Sequence, residues 1–180
     1  MPLTPQEQTF WYTSTRPVLS LSKGSVQAKM VKGRVAETLI QELFLSLGYN
    51  VFHYGMERSV PGIANLIKNN SSPVARDIRS MPDFTMQDPR RNEVYFVEVK
   101  YRASESFSIA DLPKDYPWQN AYIILVSKKH IKCITFQELK DGKAITPTSL
   151  NYLYKRKEFE LDKDTIISFC QMAVKFFEGV

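Results

Sequence analysis

The chain has 180 residues, enough for one domain with a real core, and its 43% hydrophobic and 24% charged residues are ordinary for a globular protein. No apolar run approaches the roughly 20 residues that cross a bilayer, and Met1 to Trp11 lacks the basic and apolar regions of a secretory leader, so no membrane partner and a cytoplasmic address are expected. Cys133 and Cys170 are too few for a cysteine-ligated zinc or iron–sulfur site and are expected to be buried thiols. A net charge of +5 suits a polyanionic partner without requiring one.

No repeat or low-complexity tract divides the chain, so one domain is expected: an irregular arm over residues 1–24, a core over 25–140, and a C-terminal extension with a helix over 141–180. Within the arm, Trp11 and Tyr12 read as a hydrophobic anchor. Val35, Ala36, Leu39, Ile40, Leu43, Phe44 and Leu47 recur at helical steps, and Gly48 stands where a left-handed cap would end the helix. Tyr49–Tyr54 reads as a strand. Residues 55–82 are the least regular part, with room for a short helix at Ile63–Lys68.

Asp83–Gln87 predicts a short strand, Pro89-Arg90-Arg91-Asn92 a hairpin turn, and Glu93–Tyr101 the strongest strand of the chain. Ala121–Ser127 is a continuous apolar run, the pattern of a strand covered on both faces. Lys128-Lys129-His130 turns the chain into a strand at Ile131–Phe136, and Gln137–Lys140 adds a helical turn. A final helix spans Thr165–Glu178, with Asp162 or Asp164 as its cap. The fold class is therefore α/β: a mixed sheet of about five strands flanked by helices.

Chemistry concentrates in Pro82-Asp83 and, fourteen positions on, Glu98-Val99-Lys100. Alternation puts Val94, Phe96, Glu98 and Lys100 on one face of their strand and Tyr95, Val97, Val99 and Tyr101 on the other. A carboxylate and an ammonium on an inner strand are costly to desolvate unless they pair or meet a metal and a phosphate. Taken alone, a structural Glu–Lys pair explains them equally well. Pairing outward from the Pro89–Asn92 turn, however, brings Asp83 beside Glu98. Two adjacent carboxylates repel unless a cation lies between them, and hard oxygen donors suit magnesium or manganese.

Pro82-Asp83…Glu98-Val99-Lys100 resembles the PD-(D/E)xK motif of the restriction-endonuclease-like nucleases, and the likeness covers about residues 30 to 136. It implies a core of a helix, a three-stranded meander carrying the motif, a helix and a further strand. It also implies a Mg2+- or Mn2+-dependent nuclease acting on nucleic acid, DNA first, by endonucleolytic hydrolysis to a 5′-phosphate. By the same resemblance Asp83 and Glu98 are metal ligands, the Val99 carbonyl is a further one, and Lys100 orients the attacking water. Glu37 on the first helix also holds the metal, with an ordinary solvated glutamate as the alternative.

Arg76, Arg79, Arg90, Arg91 and Arg102 are candidate phosphate contacts, Arg79 and Arg102 being nearest the motif in sequence. Double-strand cutting would ask for a homodimer. Two departures are visible. Residues 55–82 form a long insertion, and Pro113 and Pro117 leave little room for the helix after the motif. Gln119 and Tyr122 resemble, at a spacing one short, the Gln–Tyr pair of exonuclease-type members. A non-catalytic nucleic-acid-binding or assembly module on the same fold, and an accidental match, stay open.

Overall fold

The computed structural model describes residues 26–54, 60 and 62–178. The N-terminal arm with Trp11 and Tyr12 lies outside them. The described chain runs α1 (Val26–Ser46), β1 (Asn50–His53), α2 (Ile63–Ile67), α3 (Pro73–Arg79), β2 (Phe84–Asp88), β3 (Glu93–Tyr101), β4 (Ala121–Val126), β5 (Ile131–Thr135), α4 (Phe136–Lys140) and α5 (Lys163–Glu178). The five strands form one mixed sheet in the order β1-β2-β3-β4-β5, antiparallel except for the parallel β3–β4 pair. The fold is α/β, as the sequence pattern indicates.

Helix α1 buries Ala28, Lys32, Ala36, Ile40, Leu43 and Phe44 at steps of three and four, and so presents one continuous stripe. It begins well before the apolar stripe at Val35, because small and lysine side chains continue the same face without an apolar signal. Gly48, with φ 82°, stops it in the left-handed conformation that only glycine adopts freely. The stripe packs on β3 and β1 and against α5. This layer holds the larger core, including Val97, Val99, Ile124, Phe159, Ile166 and Phe177.

The opposite face of the sheet carries a second core of Phe107, Leu112, Tyr116, Ala121, Ile123, Leu125, Ile134, Phe136, Leu139 and Ile145. Strand β4 therefore has apolar neighbours on both sides, which is what its unbroken apolar run requires. Between Lys100 and Ala121 the helical content among the described residues is a short 3-10 turn at Ile109–Asp111, consistent with the two prolines there.

The insertion is more ordered than its composition suggests. Helix α3 starts with Ser72 as cap and Pro73 in its first turn; the Ser72 hydroxyl accepts the Ala75 N–H at 3.3 Å. Helix α4 closes a capping box between Thr135 and Glu138. Asp162, not Asp164, caps α5, its carboxylate accepting the Thr165 N–H at 2.7 Å. Cys133 is buried, whereas Cys170 is only half-buried, so the expectation of two buried thiols holds for one. No helix among the described residues is long and apolar enough to cross a membrane.

Candidate active site

Hairpin register brings the two motif halves together. The β2–β3 pairing runs from Asp88↔Glu93 to Phe84↔Val97, and one more step sets Asp83 beside Glu98. The Asp83 backbone carbonyl also accepts the Tyr54 N–H at 3.0 Å, so both neighbouring strands fix this position. The Asp83 carboxylate accepts the Val99 N–H at 2.8 Å, tying the start of β2 to the motif on β3.

Glu98 is 7% exposed, and its Oε1 accepts a hydrogen bond from the Lys100 ammonium. Its Oε2 is buried with no hydrogen-bond partner among the described residues. Burial pushes the Glu98 carboxyl up to about 7; the positive charge of Lys100 opposes this, and the negative charges of Asp83 and Glu37 reinforce it. Burial works against the Lys100 ammonium, but the adjacent Glu98 carboxylate outweighs it and holds the Lys100 pKa above its ordinary value. Glu37 is thus close enough for its charge to reach Glu98 from α1.

The Glu98 face of the sheet carries more than the motif. Thr85 lies opposite Phe96, one strand over, and the Tyr54, Phe96 and Trp118 rings meet at centroid distances of 5.1–5.5 Å. Thr85 Oγ1, the Tyr116 hydroxyl and Trp118 Nε1 are buried and, like Glu98 Oε2, lack a partner among the described residues. Burial, then the charges of Glu98 and Asp83, drive the Tyr116 pKa upward, which sets that hydroxyl near the carboxylates. The sequence motif does not point to Tyr116 and Trp118; the signal it holds is Asp115-Tyr116-Pro117-Trp118, two large rings around a proline in the stretch that takes the place of the expected helix.

Asp83, Glu98 and Lys100 converge, Glu37 stands within electrostatic range, and Val99 sits between them with its N–H bound to Asp83. Hard oxygen donors and a buried carboxylate oxygen without a partner fit a small divalent cation. No ready-made group of three or more His, Cys, Asp or Glu side chains surrounds such an ion among the described residues. The side-chain donors that adjoin across the hairpin are therefore two.

The basic candidates divide. Arg102 belongs to the site region: its charge is felt by Lys100, its backbone N–H binds the Val126 carbonyl at 3.0 Å, and its guanidinium lies 6.0 Å over the Phe107 ring and 3.9 Å from Asp111. Arg79 bonds the carbonyls of Ile67 and of Asn70, the latter at 2.7 Å, and so clasps the insertion. Arg76 pairs with Asp115 at 3.5 Å beside it.

Arg90 and Arg91 sit at the far end of the hairpin, about 17 Å from Glu98 at the rise of an extended strand. Arg90 binds buried Asp88 at 3.0 Å and covers the Tyr49 ring, and Arg91 binds the Glu158 carbonyl at 2.6 Å. Both anchor the C-terminal extension and lie away from the site. Tyr122 packs on Tyr95 and Phe159, on the face opposite Glu98, so it does not join Gln119 in a Gln–Tyr pair at the site. His53 packs on Phe84, and His130 binds Glu105.

No protein-family model, curated protein or solved structure matches the chain.

Proposed function

We propose that this protein is a divalent-metal-dependent nuclease that hydrolyses phosphodiester bonds in nucleic acid, with DNA as the first substrate to test. The observation that carries the reading is the convergence of Asp83, Glu98 and Lys100 at one end of the β2–β3 hairpin, with Glu98 Oε2 buried and unsatisfied among the described residues. A structural Glu–Lys pair alone would account for one Glu98 carboxylate oxygen and leave the other as an uncompensated cost, and it gives no reason for a second carboxylate, Asp83, to stand beside it.

Asp83 and Glu98 would hold the cation, with the Val99 carbonyl and Glu37 completing its shell. Magnesium or manganese so bound supplies Lewis-acid polarisation of the phosphate and a lowered pKa for the attacking water. The chain's own residues set the geometry. The Val99 N–H fixes the Asp83 carboxylate, and Glu98 fixes the Lys100 ammonium. Because the Lys100 pKa is raised, Lys100 keeps its proton at neutral pH. It therefore orients the water and offsets charge growing on the phosphate, while the water's proton leaves to solvent or to the phosphate itself. Arg102, two residues further on, supplies positive charge for the neighbouring phosphate backbone. A homodimer would bring a second copy of the site to the other strand of a duplex.

A second reading, a nucleic-acid-binding module without catalysis, draws on the absence of a third acidic ligand already in place among the described residues. Supercoiled plasmid incubated with Mg2+ or Mn2+ separates the two. The nuclease reading expects nicked or linear product that disappears with chelator and in Asp83→Ala. Retained binding with intact plasmid under both metals would support the module and overturn the nuclease.

A further inference from the structure

Away from the carboxylates, α5, the start of β5 and the turn at Leu153–Lys155 border an open cavity of about 550 Å³. That volume lies within the roughly 300–1,000 Å³ range of sites that take small organic ligands. Its apolar lining includes buried Ile131 and Ile166, with Ile167 and Val174 beside them. Tyr152 and Tyr154 form one wall as a stacked pair, centroids 5.5 Å apart and planes 9° from parallel.

Charge at this cavity has one sign. Lys129, Lys163 and Lys175 line it together with His130, and among the described residues no aspartate or glutamate does. The Lys163 ammonium lies 5.5 Å over the Tyr154 ring, and those of Lys155 and Lys132 lie 5.5 and 5.6 Å over Tyr152. The His130 ring stands edge-on to Tyr152 at 5.2 Å, and its Nδ1 is held 3.0 Å from the buried Glu105 carboxylate, which fixes the ring's orientation. Glu105 is itself engaged by the Ser127 hydroxyl at 2.8 Å and by the Lys132 ammonium at 3.5 Å, so its charge is compensated away from the cavity.

We propose that this cavity binds a nucleotide unit, its base stacked on the Tyr154 face that the Lys163 ammonium now covers and its phosphate among Lys129, Lys163 and Lys175. A planar ring joined to an anion matches aromatic walls with an ammonium rim, and base stacking on such rings is indifferent to sequence. The cavity lies on the α5 side of the sheet, the face opposite Glu98, because Ile131 and Ile166 share a core with Val97 and Val99. A strand engaged at Asp83 and Glu98 would reach it around the sheet end where Lys100 lies, since β5 starts there two strands and about 10 Å from β3. The polymer is taken from the nuclease reading and rests on it; the cavity's affinity for a nucleotide does not.

Fluorescence anisotropy with a labelled short oligothymidylate, in chelator so that nothing is cut, tests this, with free thymidine monophosphate in a parallel calorimetric titration. Tyr154→Leu keeps apolar volume and removes the ring; it should weaken oligonucleotide binding roughly tenfold. The surface pair Lys163→Glu/Lys175→Glu should weaken it further and flatten its salt dependence, while Tyr154→Phe restores wild-type affinity. The same sensitivity toward free thymidylate would make the ligand a mononucleotide; sensitivity with the oligomer alone would make it a strand. Equal affinity of wild type, Tyr154→Leu and the charge-reversed pair overturns the proposal, as does displacement of the nucleotide by decanoate at lower concentration. Metal-dependent cleavage with unaltered binding in the cavity variants would sink the cavity and leave the nuclease. Variant-sensitive binding without cleavage would do the reverse.

Discussion

Replacing Glu98 by glutamine removes a carboxyl group that the fold keeps 7% exposed and holds protonated up to about pH 7. Its ordinary value is 4.5, so between 4.5 and about 7 the folded protein binds more protons at this position than the unfolded chain does. Stability contributed here therefore falls as pH rises through that window, and the loss is complete above the folded value. A shift of that size corresponds to about 3 kcal/mol. For a chain of this length, that is roughly 6–12 °C in melting temperature. Glutamine has nearly the same shape and no titration.

Thermal unfolding followed by circular dichroism, in chelator, at about pH 5 and about pH 8, isolates the effect as a difference of differences. On raising the pH the wild type should lose roughly 6–12 °C more than Glu98→Gln. Added Mg2+ at the higher pH should narrow the gap by stabilising the ionised wild-type carboxylate. Parallel pH profiles for the two proteins would refute the assignment of Glu98 as a buried, charge-frustrated group.

Other consequences are open to direct measurement. Lys100→Met should reduce plasmid cleavage by about 10²–10⁴-fold with nucleic-acid affinity kept within a few-fold, a split read by comparing rate with binding. Arg90→Ala leaves the fully buried Asp88 carboxylate without its guanidinium; it should cost about 2–4 kcal/mol in urea unfolding yet leave cleavage per folded molecule unchanged, since Arg90 lies at the far hairpin end. Tyr116→Phe removes a buried hydroxyl that has no partner among the described residues, so metal-free stability should hold or rise by up to about 1 kcal/mol, whereas Leu43→Ala, at the base of α1, should cost about 2–5 kcal/mol.

What the sequence made legible was whatever rests on short-range pattern. Alternation in Glu93–Tyr101 put Glu98 and Lys100 on one face, and the turn at Pro89–Asn92 fixed a register that carries Asp83 to Glu98; neither depends on the rest of the chain. The unbroken apolar run of β4 marked it as covered on both sides. Less was visible where tertiary context decides. Arg79, Arg90 and Arg91 read as free cations because a sequence does not display the carbonyls and carboxylates they meet. Tyr116 and Trp118 looked like loop residues because their burial depends on the second core beneath β4. The start of α1 escaped notice because Ala28 and Lys32 carry its buried stripe without apolar bulk, and α3 because the Ser72–Pro73 start signal lies in a polar stretch.

Calorimetric titration of Mn2+ into the metal-free protein bears most directly on the claim that Asp83 and Glu98 share a cation. The account predicts saturable binding by the wild type, weakened at least tenfold in Asp83→Ala and again in Glu98→Gln, with Arg90→Ala indistinguishable from wild type. Equal Mn2+ affinity in all four proteins, or no binding by the wild type, would contradict it.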